Sequence, residues 1–108
     1  MAIKVTSKQR AYLRSLAMKE HAVVQVGKGG VTPDVTAYAD EALSARELIK
    51  VDVLKNAGLD VRDVGETLAG RTNSLLVQTM GRKITLYRPA EKPVIKLPKA
   101  SAADNTEK

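Results

Sequence analysis

The sequence predicts an α/β fold, a single domain in which helices pack on a mixed four-stranded sheet. Helical and strand-like hydrophobic periods alternate along the chain in the order α-β-α-β-α-β-β. The last two strand-like segments are joined by a short connection at Gly81 and Arg82, which is typical of a hairpin. A chain of 108 residues can bury one core but not two ordinary ones. Helices between strands imply crossovers onto one sheet, and the hairpin adds an antiparallel edge.

Each element has its own local signal. A Thr or Ser before an apolar helical stripe indicates an N-cap, and β-branched runs indicate strands. Apolar and polar residues alternate in the second strand, so one of its faces is expected to be wet. The predicted elements are a helix capped by Thr6 or Ser7 and running to about Lys19, a strand over residues 23–26, a helix from Pro33 to about Ala45, a strand over residues 47–54, a helix beginning near Val61, and strands over residues 75–80 and 83–88.

The three tyrosines bear on how a ligand would be bound. Tyr12 and Tyr38 fall on the apolar stripes of the first two helices and are predicted to be core residues. A sheet that stacks bases on aromatic rings, as in the RNA recognition motif, is therefore not expected. Any binding of RNA should depend on phosphates, shape and the 2′-hydroxyl.

The chain is basic, with a formal net charge of +6 and a pI near 9.7. Such a balance favours polyanionic partners such as nucleic acid. Beyond residue 88 four lysines stand against three acidic residues, so nearly all of the basic excess belongs to the predicted domain, residues 1–89. Residues 90–108, which contain Pro93 and Pro98 and a small polar end, are predicted to form a poorly ordered tail.

The residue inventory argues against catalysis. There is no cysteine, and His21 is the only histidine, so thiol chemistry is excluded and a nucleophilic triad has one candidate base. No metal-ligand spacing is present. We expect no enzyme activity, no cofactor and no metal. No N-terminal apolar run resembles a signal peptide or a membrane span, so the expected location is cytoplasmic, with no membrane partner.

The segment VVQVGKGGVT places glycines and a lysine between a strand and a helix start. It departs from the dinucleotide-binding fingerprint, which needs Gly or Ala where Thr32 stands, and from the Walker loop, because Val31 follows the last glycine. What remains is G-x-x-G at Gly27 and Gly30, the loop type by which KH domains clamp a single-stranded backbone. Free N–H groups, Lys28 and the helix dipole would favour an anion there.

Further cations could extend a phosphate-binding surface, although for each one alone a solvated face is the simpler interpretation. They lie on the first helix, on the polar face of the second strand and at the hairpin: Lys8, Arg10, Arg14, Lys50, Arg82 and Lys83.

Four blocks of the chain, TSKQRAYLRSLA, VVQVGKGGVT, ELIKVDVL and LVQTMGRKITLYRP, closely resemble the YhbY-like proteins. These are the stand-alone bacterial form of the CRM (chloroplast RNA splicing and ribosome maturation) domain. The resemblance covers about Thr6 to Pro89. It implies an RNA-binding α/β domain related in fold to the C-terminal domain of translation initiation factor three. It also implies association with precursors of the large ribosomal subunit and a role in ribosome assembly.

Carried onto this chain, the family's glycine loop falls on residues 27–30 and its basic first-helix signature on Lys8, Gln9 and Arg10. The chain departs from the family pattern at Met18, where relatives often have histidine, and at His21-Ala22, where they often have Lys-Pro. Asp52 also stands where many relatives have a base or a neutral polar group.

The leading hypothesis is a protein that binds ribosomal RNA in the large-subunit precursor. It would be monomeric, would perform no covalent chemistry and would also bind ribosomal proteins. One alternative is an adaptor on the ribosome whose basic face binds acidic protein partners, and another is a small anion-binding enzyme that uses His21. The predicted RNA-binding residues are Lys8, Gln9, Arg10, Arg14, Gly27, Lys28, Gly29, Gly30, Thr32, Arg82 and Lys83.

Overall fold

Helices and strands alternate in the predicted order in the computed structural model, which describes residues 3–98. Most element boundaries agree with the prediction to within two residues. A short 3-10 helix, Lys55–Ala57, lies where a chain break was expected. The elements are α1 (Ser7–Ala17), β1 (Ala22–Val26), α2 (Pro33–Arg46), β2 (Leu48–Val53), α3 (Val61–Thr72), β3 (Leu75–Met80) and β4 (Lys83–Tyr87).

The four strands form one mixed sheet in the order β1-β2-β4-β3. Strand β1 pairs with β2 in parallel through the α2 crossover. The hairpin strand β4 pairs antiparallel with both β2 and β3, which leaves β1 and β3 at the edges. The predicted fold class, an α/β domain with a mixed four-stranded sheet, is confirmed. Strands β1 and β2 run parallel and therefore terminate at the same end of the sheet. The β3–β4 turn lies at this end too, since Asp52 near the end of β2 pairs with Lys83 at the start of β4.

One face of the sheet is buried under α2 and α3. The alternation predicted for β2 is observed, since Ile49, Val51 and Val53 are fully buried on this face. Lys50 and Asp52 lie on the other face and are half-buried. Helix α2 contributes Ala39 and Leu43 to this core, and α3 contributes Val64 and Leu68; β1 and β4 contribute Val24, Val26, Ile84 and Leu86.

The other face is covered only in part, by α1. Leu13 and Ala17 of α1 are fully buried and form a second cluster with Leu48, Val77 and Tyr87. In the register of the sheet, Leu48 and Leu75 lie on either side of Tyr87, at the end of the sheet remote from the β3–β4 turn. Helix α1 therefore covers one half of this face and leaves the half beside the turn outside the cluster.

The core assignment of two tyrosines is wrong. Tyr38 is 64% exposed and Tyr12 is 38% exposed, whereas Tyr87, at the end of β4, is 2% exposed. Helix α2 buries Ala39 and Leu43 against the sheet, and Val35 and Ala42 are partly buried beside them. Tyr38 lies at the margin of this stripe, and its ring is in solvent.

Contacts with the domain continue beyond Pro89. The buried Glu47 carboxylate accepts hydrogen bonds from the backbone N–H groups of Ala90, Val94 and Ile95, at 2.7, 3.0 and 2.8 Å. Ile95 and Leu97 pack against the α1 cluster. Residues 90–98, predicted to belong to a poorly ordered tail, thus lie against the domain, and the rest of that predicted tail lies outside the described residues. The division of the chain at residue 89 stays a prediction.

Candidate nucleic-acid interface

The glycine loop is a tight turn between β1 and α2. The N–H of Gly30 donates to the carbonyl of Gly27 at 2.9 Å, and Gly30 has a φ of +73°, a conformation that favours glycine. The hydroxyl oxygen of Thr32 accepts a hydrogen bond of 3.1 Å from the N–H of Val35, so Thr32 is the N-cap of α2, as predicted. The loop geometry is therefore fixed at both ends by its own backbone and by the helix cap.

Several donors of this loop remain unpaired within residues 3–98. The N–H of Gly30 is used by the turn, but those of Lys28, Gly29 and Val31 make no hydrogen bond in this part of the chain. The side chain of Lys28 is exposed and has no acidic partner there. Free amides and a free ammonium next to a helix N-terminus are donors that suit a phosphate.

The glycines differ in what they require. A Cβ at Gly27 would lie 3.6 Å from Leu54 Cδ1, which is ordinary van der Waals contact. A Cβ at Gly29 would lie 3.4 Å from Thr32 Cγ2. Neither residue has a left-handed φ, in contrast to Gly30. The fold itself therefore requires glycine at position 30 and has room for alanine at position 27.

Arg71, which the sequence analysis did not select, holds the end of the loop. Its guanidinium donates a hydrogen bond of 2.7 Å to the carbonyl of Val31. Arg71 lies in the last turn of α3, is exposed, and makes this one hydrogen bond within the described residues. No local signal marks it, because the contact joins residues 40 positions apart.

The hairpin residues lie at the same end of the sheet as the glycine loop. Arg82 donates from Nε to the carbonyl of Val53 and from its Nη2 group to that of Leu54, each at 2.8 Å. Leu54 in turn donates its N–H to Val26, the last residue before the loop. Lys83 pairs with Asp52 across the strands at 3.3 Å. Both predicted cations thus lie at the end of the sheet that carries the loop, each already engaged by another part of the domain.

The α1 residues divide into two pairs. Lys8 and Arg14 are exposed, without a partner among residues 3–98. Gln9 completes a capping box with Thr6 and donates to the carbonyl of Pro98 at 2.9 Å. Arg10 donates to the carbonyls of Leu76 and Val77 at 3.1 and 2.7 Å.

The structure therefore gives Gln9 and Arg10 structural partners and leaves Lys8 and Arg14 available. The register in β3 shifts between Leu76 and Gln78, and the two carbonyls that Arg10 binds lie at this irregularity on an edge strand. Because α1 covers the end of the sheet remote from the β3–β4 turn, its cations are not gathered around the glycine loop. The roles predicted for all these side chains in RNA binding stay predictions.

Charge is unevenly divided between the two sides of the sheet. Helix α1 contains three cationic residues and no acidic one. Helix α2, on the opposite side, contains Asp34, Asp40 and Glu41 against Arg46. A polyanion is therefore attracted to the α1 side and to the edge with the loop and hairpin rather than to the α2 side.

The described residues offer no cluster of metal-binding side chains, and the single histidine lies at the surface. His21 is exposed in the α1–β1 connection. No group of three or more His, Cys, Asp or Glu residues in this part of the chain could hold a metal ion. Over the same residues, no helix has both the length and the apolar character needed to span a membrane.

Fold and site together define a small basic α/β domain with a donor-rich glycine loop at the edge of its sheet. The chain belongs to the CRS1 / YhbY (CRM) domain family, whose model matches residues 5–88. This confirms the resemblance noted from the four sequence blocks.

Individual relatives agree with the assignment. The chain is 47% identical over 95 residues to "Probable RNA-binding protein YqeI" of Bacillus subtilis, covering 87% of this chain and 99% of that protein. It is 37% identical over 98 residues to an "RNA-binding protein" of Haemophilus influenzae, covering 88% and 96% of the two chains. The solution structure of protein SAV1595 from Staphylococcus aureus matches with a TM-score of 0.75 and 44% identity, over 88% of this chain and 100% of that one. These relatives are named for RNA binding and not for a reaction, which agrees with the prediction that the protein is not an enzyme.

Proposed function

We propose that this protein binds RNA and that the glycine loop, residues 27–30, is the point at which it holds the RNA backbone. The observation that carries the proposal is the set of unpaired donors at the loop, namely the N–H groups of Lys28, Gly29 and Val31 and the ammonium of Lys28. Phosphate oxygens accept hydrogen bonds from such amides, and neutralisation by lysine releases counterions from the RNA.

The absence of side chains at two loop positions supports close approach of the backbone. Gly27 is not required by the fold, since a Cβ there would meet only Leu54 at an ordinary distance. A ligand that lies against the main chain would account for a glycine that the protein's own packing does not need. Arg82 and Lys83 beside the loop, and Lys8 and Arg14 on α1, would add weaker contacts to further phosphates.

The cellular RNA we propose is ribosomal RNA in the precursor of the large subunit, with the protein acting in ribosome assembly in the cytoplasm. This proposal follows from the family resemblance and from the charge distribution, which suits a large folded polyanion. It involves no cofactor and no covalent step.

The test uses the full chain with large-subunit precursor particles and mature large subunits in gradient centrifugation. Lys28→Asp/Gly29→Asp removes one cation and adds two acids at the loop. Ala45→Asp/Arg46→Asp makes the same change in charge at two exposed positions at the end of α2, on the side of the sheet away from the proposed RNA. We expect wild type and the α2 control to sediment with the precursor and the loop variant to remain unbound.

Wild type that remains unbound at low salt would contradict the proposed RNA partner. Equal sedimentation of the loop variant with the particle would show that the glycine loop is not the point of attachment. Such a result would favour the adaptor, in which ribosomal proteins supply the binding surface.

A further inference from the structure

The α1 side of the sheet has a polar half that adjoins the glycine loop. In the row nearest the loop, Gln25 lies opposite Asp52, Asp52 opposite Lys83, and Lys83 opposite Met80. In the next row Lys50 lies opposite Thr85, and Thr85 opposite Gln78. We call the solvent-facing members of these two rows the open sheet half: Gln25, Lys50, Asp52, Gln78, Met80 and Lys83.

Packing leaves this half accessible. The α1 cluster is built on Leu48, Val77 and Tyr87 at the other end of the same face. Met80 is 65% exposed, and the side chain of Lys83 is 49% exposed. Thr85, in the middle of the second row, is 2% exposed, and Lys50 and Gln78 on either side of it are partly exposed. The open sheet half is therefore a surface around one buried threonine and not a second core.

The polar groups on this surface are free to bind a ligand. The amides of Gln25 and Gln78 and the ammonium of Lys50 have no hydrogen-bond partner within residues 3–98. Each glutamine amide offers two N–H donors and a carbonyl acceptor, the combination needed to pair with the edge of an unstacked base. The exposed thioether of Met80, in the same row, is an apolar and polarisable contact for an aromatic ring.

The charge of the surface suits a nucleic acid. Lys50 and Lys83 are cationic, and the single acidic residue, Asp52, is paired with Lys83 at 3.3 Å. The surface is also continuous with the proposed phosphate site. Gln25 lies two residues before the loop in β1, and Arg82 in the adjacent turn is bonded to Val53 and Leu54 at the loop-bearing edge.

We propose that the open sheet half binds the bases of a single-stranded RNA segment whose backbone is held at the glycine loop. The proposal rests on the proposed function and adds to it a source of sequence preference. Backbone contacts at the loop carry no base information, whereas the amides of Gln25 and Gln78 distinguish bases by their hydrogen-bonding edges. Binding should therefore depend on base identity as well as on charge.

The experiment measures the affinity of the full chain for A-only, C-only and U-only RNA oligomers of about 12 nucleotides. We expect wild type to discriminate between the best and worst oligomer by about tenfold or more, the effect of one good amide–base pair. Gln25→Ala/Gln78→Ala should reduce this spread to about threefold or less with little change in the salt dependence. Asn56→Ala/Thr67→Ala, at two exposed polar positions outside the surface, should leave the spread unchanged.

The outcomes separate this proposal from the proposed function. Equal affinity of wild type for all three oligomers, or an unchanged spread in the double variant, overturns the role of the open sheet half. The single change Gln25→Ala, at an exposed side chain, gives the same test without altering Gln78. A loop variant, Lys28→Asp/Gly29→Asp, should weaken binding to every oligomer alike; if it does not, the loop proposal fails while the preference assigned to the sheet stands.

Discussion

Arg71 and Val31 are joined by a hydrogen bond of 2.7 Å from the guanidinium of one to the carbonyl oxygen of the other. The bond connects the last turn of α3 to the residue that follows the glycine loop. It holds the carbonyl at the loop's end and adds a cation there. Helix α3 thereby takes part in positioning the proposed phosphate site.

Replacement of Arg71 by glutamine should weaken RNA binding about fivefold, or about 1 kcal/mol, because the end of the loop loses a restraint and the site loses a positive charge. The free energy of unfolding should change little, since Arg71 is exposed. Fluorescence titration with a labelled RNA fragment measures the first quantity, and urea unfolding measures the second.

Arg62→Gln is the matched control for this prediction. It removes the same charge from the same helix, where Arg62 is exposed and pairs with Glu66 at 3.2 Å. An equal loss of affinity in the two variants would show that net charge, and not the contact with Val31, accounts for the effect.

Alanine at Gly30 should reduce stability, whereas alanine at Gly27 should reduce RNA affinity. At Gly30 the φ of +73° is strained for alanine, so the free energy of unfolding should fall by about 1–2 kcal/mol. At Gly27 alanine fits beside Leu54, so stability should be retained while the Cβ hinders a bound phosphate and lowers RNA affinity. Thermal unfolding and RNA titration of both variants check this; full RNA affinity in Gly27→Ala would contradict close backbone approach there.

Glu47 gives the domain a predictable response to acid. Burial opposes ionisation of its carboxyl, but hydrogen bonds from the N–H groups of Ala90, Ile95 and Val94 together outweigh burial and lower its pKa below 4.5. A lowered pKa in the folded state means that the carboxylate stabilises the fold above pH 4.5 and that this contribution is lost as pH falls through the lowered pKa.

Glu47→Gln should therefore reduce the free energy of unfolding by about 2–3 kcal/mol at neutral pH, because the amide cannot accept from all three donors. The difference from wild type should shrink in acid, where the wild-type carboxyl is protonated. Urea unfolding across the acidic range measures it; a constant difference at every pH would show that the carboxylate charge is not the cause.

The regular elements were predictable from the sequence because their signals are local. The Thr6 and Thr32 caps, the alternation in β2 and the hairpin at Gly81 all depend on residues within a few positions of one another, and all are observed. The glycine loop was found for the same reason.

What could not be predicted depends on contacts between distant parts of the chain. Arg10 and Arg82 resemble free surface cations in the sequence, yet each is bound to backbone carbonyls of another element. Tyr38 lies on an apolar stripe but at its margin, and its exposure depends on which residues of α2 face the sheet. In the sequence Glu47 resembles an ordinary polar residue at the start of the predicted strand, although three N–H groups more than 40 positions away donate to its carboxylate.

The most direct test of the account is the salt dependence of RNA binding by wild type and by Lys28→Asp/Gly29→Asp. Labelled large-subunit RNA fragments, and a DNA duplex of equal length, are titrated at several salt concentrations. We predict that wild type prefers RNA and that its log affinity falls steeply with log salt concentration. The loop variant should bind more weakly and with a shallower slope, because each phosphate contact on a single strand contributes about 0.7 to the slope. Equal affinities and equal slopes for both proteins on both nucleic acids would contradict a phosphate site at the glycine loop.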